Sequence, residues 1–313
     1  MPSPHTLKPR VSPKDRQHVL KLRRTHSYRE VAAKTGMPLG TVKTICSRSA
    51  AFRDNPALRE LFTLPEPVLS PSTALTVPAP PPHPVQVTGD NEVDAVLWLR
   101  QVIGTGQAAL IAKAMEAFKR IKTPPADLEK RYSDYLMQQN PGNTVAAVFG
   151  GFGFANLEGL ARRSVERLTL ETDALARFGT ADNLFAPTPA EQWCSDALKG
   201  LKTSAKHFGQ LADQQVAKRF MALPEMLPQT LADCLYELAY WHDLYRLRHA
   251  VDQDAADPSP GPYARECFVF ASLARIRPRS STEAIEVFRY LPAHDRMAAT
   301  ETPAILNNLI STR

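Results

Sequence analysis

The chain has 313 residues, 43% hydrophobic and 22% charged, the composition of a folded globular protein and not of a disordered or fibrous one. Its four cysteines, Cys46, Cys194, Cys234 and Cys267, lie far apart without a C-x-x-C pair. That spacing argues against a zinc ribbon or a disulfide scaffold and fits a reducing, cytoplasmic compartment. The net charge of +6 is unevenly spread, because residues 1–53 carry 12 Lys and Arg against two acids, Asp15 and Glu30, while the rest carries 26 basic against 30 acidic residues.

A head of net charge +10 on a body of −4 is the distribution expected when only the head meets a polyanion. Nucleic acid is the expected polyanion. A membrane surface is not, because the basic residues do not alternate with large apolar ones. The opening "MPSPHTLKPR" has no apolar core, so no secretory signal is expected. The stretch "TVAAVFGGFGFANL" is too short and too glycine-rich to span a bilayer.

Three helices are predicted in the first 55 residues. The first starts at Ser12 as N-cap, with Pro13 at the first helical position and Asp15 three residues on, and Val19, Leu20 and Leu22 give it a modest inward face. The second starts at Ser27, again three residues ahead of an acid, Glu30, and stops at Gly36, which suits the left-handed position after a helix. The third runs from about Pro38 to Ser49.

The last two helices have the layout of a helix-turn-helix. Ala32 is the small residue where the helices cross, Gly36 makes the turn, and Val31, Met37, Val42 and Ile45 point inward, with Thr35 as the small polar-tolerant position. The outward face of the third helix is then Leu39, Gly40, Lys43, Thr44 and Ser47, ending at Arg48. In a major groove Lys43 is predicted to reach guanine acceptors, Thr44 and Ser47 to bond either bases or phosphates, and Leu39 to lie against a thymine methyl. Lys14, Arg16, Arg29, Lys34 and Arg48 are predicted phosphate contacts, and Lys8 and Arg10 form a candidate minor-groove arm.

The run "EVAAKTGMPLGTVKTICSRS", Glu30–Ser49, resembles the promoter-reading C-terminal domain of bacterial sigma factors and the related effector domains of response regulators. Their helices carry a similar Gly-hydrophobic-Pro-hydrophobic-Gly-Thr-Val-Lys run. The resemblance is confined to this segment, which here lies at the N-terminus without a recognisable polymerase-binding region. It implies a DNA-reading tri-helical module of the kind found in plasmid and phage repressors, transposases and packaging subunits.

Eight prolines fall between Pro65 and Pro84, including "PAPPPHP", so residues 64–90 are predicted to be a semi-rigid linker without a core of their own. Beyond Asn91 helical periodicity dominates. "VDAVLWLRQVIGTGQAALIAKAMEAFKRI" is one helix, or two joined at Gly104–Gly106; "ADLEKRYSDYLMQQN" stops at Asn140-Pro141; "ANLEGLARRSVERLTLETDALARF" is a further strong segment. "LADCLYELAYWHDLYRLRHAVDQD" is apolar around most of its circumference and is predicted to be an association surface, internal or between protomers, rimmed by Arg246 and Arg248. A last unit starts at a Ser280 cap. The fold class expected is all-α: a tri-helical head over 1–63, the linker over 64–90, and a helical dimerisation or partner domain over 91–313.

Three other constellations are weaker. "VFGGFGFANLEG" lacks the third glycine of a dinucleotide loop and any Gly-Lys-Ser/Thr, so Phe149, Phe152 and Phe154 are expected to plug a core. His207, His242-Asp243 and His294-Asp295 loosely echo the ligand order of all-α HD-type phosphohydrolases. Arg275, Arg277 and Arg279 precede the Ser280 cap as a second phosphate contact or a solvated loop. The expectation is a sequence-specific double-stranded DNA-binding protein of the bacterial plasmid or phage repressor type, homodimeric through its body. A DNA-partition or packaging adaptor acting through a protein partner and a metal-dependent phosphohydrolase are the alternatives. No catalytic residue, metal or cofactor is expected.

Overall fold

The computed structural model describes residues 11–23, 26–49, 52–68, 80–141, 154–202, 211–254 and 258–310. Every regular element among them is helical: α1 (Pro13–Arg23), α2 (Tyr28–Thr35), α3 (Leu39–Arg48), α4 (Pro56–Leu61), α5 (Asn91–Gly104), α6 (Ala108–Phe118), α7 (Pro125–Gln139), α8 (Leu157–Phe178), α9 (Ala181–Phe185), α10 (Pro189–Ala197), α11 (Asp213–Met221), α12 (Leu231–Val251), α13 (Pro260–Ser272), α14 (Ser281–Ala293) and α15 (Thr302–Ile310). Short 3₁₀ turns stand at Phe154–Asn156 and Pro224–Met226. No helix among the described residues is long and apolar enough to cross a membrane.

The chain divides into two compact units, one of Met1–Leu64, Pro187–Tyr245 and Asp257–Arg313, the other of Pro65–Ala186 and Arg246–Ala256. The stretch 91–313, expected as one body, is thus shared between the two.

In the first unit, α1–α3 close on a small core of Val19, Val31, Val42 and Cys46, with Leu20, Ala32, Met37, Ile45 and Phe52 packed around it. The start signals act as the sequence suggests. Ser12 Oγ accepts the Asp15 N–H at 3.1 Å. At α2, Ser27 Oγ accepts the Glu30 N–H at 3.3 Å while the Glu30 carboxylate accepts the Ser27 N–H at 2.6 Å. Gly36 ends α2 at φ 65°, where a side chain would crowd the following carbonyl.

The larger core of this unit gathers Phe220, Leu231, Cys234, Leu238, Val269, Leu273, Val287, Leu291 and Ile305. At its centre Arg265 and Glu237, both fully buried, pair at 2.7 Å. The Arg265 guanidinium also donates to the Met226 carbonyl at 2.8 Å and sits 4.9–5.5 Å from the ring centres of Phe62, Trp193, Phe220 and Phe268. Burial opposes its charge, but the Glu237 carboxylate outweighs burial and holds the guanidinium above its usual value.

α4 is bonded into this unit through Asn55, its N-cap, and through Phe62. The Asn55 N–H donates to both oxygens of the fully buried Asp233, at 3.1 and 3.0 Å, and its side-chain amide donates to the Glu225 and Leu227 carbonyls. Arg59 reaches Asp233 at 3.1 Å. Residues 54–62, grouped with the head on sequence, therefore share hydrogen bonds with α12.

The second unit is built on Val93, Val96, Leu99, Val102, Ile111, Leu128, Phe154 and Leu157. The apolar run from Val93 breaks into α5 and α6 at Gly106, whose φ is 70° and where a Cβ would lie 2.7 Å from Leu168 Cβ; only glycine fits. The described ends of the proline-rich stretch are held by hydrogen bonds. Val68 N–H donates to the Ala176 carbonyl, Trp98 Nε1 to the Pro82 carbonyl, and the Tyr135 hydroxyl to the Val87 carbonyl. The Asp94 carboxylate accepts from Val87, Thr88 and Gly89. Proline cannot donate, but its carbonyl still accepts, as that of Pro82 does from Trp98.

Candidate nucleic-acid interface

The three helices of the head differ in what they leave outside. On α3, Val42 and Cys46 turn inward and are almost fully buried, which rotates two neighbouring rows to solvent. One row is Leu39, Lys43 and Ser47; the other is Gly40, Thr44 and Arg48, each at i, i+4 spacing. All six are exposed. Cys46 as a core member went unassigned on sequence, although its position four residues after Val42 is the signal for it.

A groove of about 410 Å³ runs between α1 and α3, lined by Arg16, Leu20, Gly40, Thr44, Ile45 and Arg48. It brings together four of the residues expected to touch DNA. Two are guanidinium groups, one on α1 and one at the C-terminal end of α3. Gly40 keeps the floor low, and a Cβ there would meet nothing within 4 Å.

The hydroxyls are already engaged as donors. Thr44 Oγ1 donates to the Gly40 carbonyl at 2.8 Å and Ser47 Oγ to the Thr44 carbonyl at 3.2 Å. In these rotamers each offers lone pairs outward, which match the exocyclic amino groups of adenine and cytosine. Lys43 adds an exposed ammonium in the neighbouring row.

Lys14 and Arg29 are exposed elsewhere on the head, and the groove does not include them. Lys34 donates to His26 Nε2 at 2.6 Å. The other ring nitrogen, Nδ1, lies 3.1 Å from the Leu22 carbonyl, so the tautomer that satisfies both contacts carries its proton on Nδ1. Lys34 thus has one donor already in use. Arg23, which no motif singled out, lies 4.2 Å from the Tyr28 ring centre and 5.7 Å from that of Phe52 and bonds the His26 carbonyl; it locks the head from within. Lys8 and Arg10, the candidate arm, lie outside the described residues.

The acid next to this surface serves the fold. Bonds from the Ser27 backbone and hydroxyl hold the Glu30 carboxyl below the usual carboxylate range, so it stays charged and capped. Burial pushes all four thiols, Cys46, Cys194, Cys234 and Cys267, upward, which disfavours the thiolate that nucleophilic or redox chemistry needs.

The weaker constellations come apart or are used elsewhere. The α12 aromatics are internal: Tyr240 and Trp241 are 5% and 1% exposed and stack edge-on with Phe62. The same helix has its rim arginines bound within the chain, Arg246 to Glu166 at 2.8 Å and Arg248 to the Leu184 and Ala186 carbonyls. Of the two options for this apolar helix, packing inside the chain is the one observed. Arg279 pairs with Asp54 and Glu283, and Arg275 with Ser272 and the Phe268 ring, which leaves neither as a free phosphate contact.

His242 and His294 do meet, with ring centres 4.6 Å apart. Burial, then His242 and Arg296, lower the His294 pKa, favouring the neutral ring. No group of three or more His, Cys, Asp or Glu able to hold a metal occurs among the described residues, and His207 lies outside them. Phe154 is buried in a core, while the glycines before it, together with Phe149 and Phe152, lie outside the described residues.

Comparison with protein-family models, with curated proteins and with solved structures finds no match to this chain.

Proposed function

We propose that this chain is a sequence-specific binder of duplex DNA that reads the major groove with α3, in the manner of a bacterial plasmid or phage repressor. The observation that carries the proposal is the outer face of α3. Leu39, Gly40, Lys43, Thr44, Ser47 and Arg48 are exposed together, flanked by Arg16 across a groove, on a segment of net charge +10. Small, hydrogen-bonding side chains between two guanidinium groups fit base edges lying between phosphate rows.

In this reading Arg16 and Arg48 set the register, and Lys43, Thr44 and Ser47 discriminate bases. Lys14 and Arg29 add charge, Lys34 contributes with the donors His26 does not use, and Lys8 and Arg10 extend into the minor groove. One tri-helical head covers little DNA, so two heads joined in a homodimer give the affinity that an operator requires. Ile285 and Phe288, exposed on α14, offer apolar surface for that association.

The test is selection of bound duplexes from a random pool by the intact protein at stated salt, repeated with Lys43→Ala and Thr44→Ala. Enrichment of one sequence, with preference relaxed at single positions in the variants, supports the proposal; inverted half-sites support the dimer. Failure of the intact chain to bind any duplex at low ionic strength overturns it. Repression is then read from a reporter carrying the selected site across its promoter.

A further inference from the structure

The second unit contains a cleft of about 590 Å³, inside the ~300–1,000 Å³ range of small-molecule sites. Three helical stretches line it at i, i+3, i+4 spacing. α5 brings Arg100, Ile103 and Gly104; α8 brings Leu160, Arg163, Ser164, Arg167 and Leu170; the end of α12 brings Arg246 and His249. Four guanidinium groups converge there against one lining carboxylate, Glu166.

The arginines are not equally committed. Arg246 pairs with Glu166 at 2.8 Å. Arg167 makes two long contacts of 3.4 Å, to Glu171 and to the Gly104 carbonyl. Arg163 is exposed and has no bond or ion pair among the described residues. Arg100 stands over the Phe154 ring, 5.4 Å from its centre. Counting Glu166 in the lining and Glu171 beside it against the four guanidinium groups leaves a net charge of about +2, which matches a phosphomonoester at neutral pH, of charge about −1.5 to −2. Guanidinium forks suit the tetrahedral oxygens of such a group.

The floor has a different character. Ile103, Leu160 and Leu170 supply apolar surface, and Gly104 leaves open space, with nothing within 4 Å of where a Cβ would stand. A free inorganic ion would leave that floor wet. The phosphates of a duplex lie on a convex surface and would meet the rim alone.

We propose that this cleft binds a small phosphomonoester whose organic body is apolar, the phosphate held by Arg163 and Arg167 and the body lying over Ile103, Leu160 and Leu170. The proposal is independent of the DNA-reading face on α3.

The experiment titrates the intact protein with 1-naphthyl phosphate, followed by its fluorescence anisotropy, and compares it with inorganic phosphate and 1-naphthol by competition. The phosphate ester should bind at least about tenfold more tightly than either half, because each half satisfies only one part of the cleft. Arg163→Ala should weaken it by about tenfold, the usual loss for a charge-assisted hydrogen bond. Gly104→Leu should abolish binding by filling the open space, with the unfolding midpoint showing that the variant is folded. Duplex binding is measured on the same samples, and Lys43→Ala should leave ester binding intact. No binding of the ester at millimolar concentration overturns the proposal. So does binding indifferent to both cleft substitutions. Inorganic phosphate binding as tightly as the ester also overturns it. Loss of duplex affinity in Arg163→Ala with unchanged ester binding would make the cleft a nucleic-acid surface instead.

Discussion

If α3 reads bases while Arg16 and Arg48 grip phosphates, removing charge and removing base contacts should leave different signatures in salt. Among the exposed cations of the described head, Lys14, Arg16, Arg29 and Arg48 are the ones assigned to phosphates, with Lys34 partly engaged by His26. Four phosphate contacts give a slope of log affinity on log salt of about −3.6 per head. A fourfold rise in salt then weakens binding by about 150-fold. In Arg16→Ala/Arg48→Ala the slope should fall to about −1.8, so that the same salt step costs only about 12-fold. That loss should be the same for the selected duplex and a scrambled one, because phosphates carry no sequence information. Lys43→Ala/Thr44→Ala should instead change the slope by no more than about 0.9 while narrowing the gap between the two duplexes. Anisotropy titrations at four or more salt concentrations read both quantities. A slope unmoved by the arginine pair, or a loss confined to the selected duplex, would refute this division of labour.

Other substitutions probe the fold that presents this face. Gly36→Ala should destabilise the head by about 1 kcal/mol, since φ 65° is the left-handed region. Gly40→Ala should instead stabilise it by up to about 1 kcal/mol yet weaken duplex binding by narrowing the groove; chemical denaturation and anisotropy separate the two effects. Asn55→Ala removes a cap and leaves the Glu225 and Leu227 carbonyls without their partner, and should cost about 2–4 kcal/mol in a denaturation series. Breaking the buried pair with Arg265→Met alone strands the Glu237 charge and should cost about 3–5 kcal/mol, while Arg265→Met/Glu237→Leu together should recover most of it. Asp94 provides the pH test. Burial acts to raise its carboxyl, but bonds from Thr88, Val87 and Gly89 outweigh burial and hold it below the ordinary range. A depressed pKa means that the stabilisation is complete above the unfolded value of about 3.9 and is lost as pH falls below it. The stability gap between wild type and Asp94→Asn should therefore be flat from neutral pH to about 5 and close below about 4; a gap that widened on acidification would contradict the assigned bonds.

Much of the head was legible in the sequence because its signals are local. Ser27 and Glu30 cap each other across three residues, Gly36 takes the left-handed turn, and the spacing of Val42 and Cys46 decides which side of α3 faces out. The helical class of the rest was legible for the same reason, from Asn140 closing α7 to Ser280 opening α14. What the sequence could not state was where long-range partners lie. Asn55 and Arg59 read as the tail of the head, yet their bonds go to Asp233, 178 and 174 residues later. The aromatic helix around Trp241 looked equally suited to a partner chain, and the answer depended on Phe62 and Trp193 arriving from distant segments. The stretch 80–90 reads as linker until Trp98 and Tyr135 supply donors for its Pro82 and Val87 carbonyls. The arginines of α8 belong to no motif on sequence; the converging ends of α5 and α12 make them the wall of a cleft. Propensity, capping and turn chemistry act within a few residues and can be read in order along the chain. Burial and charge pairing belong to the pair of groups that meet, and the meeting is decided only when the whole chain has folded.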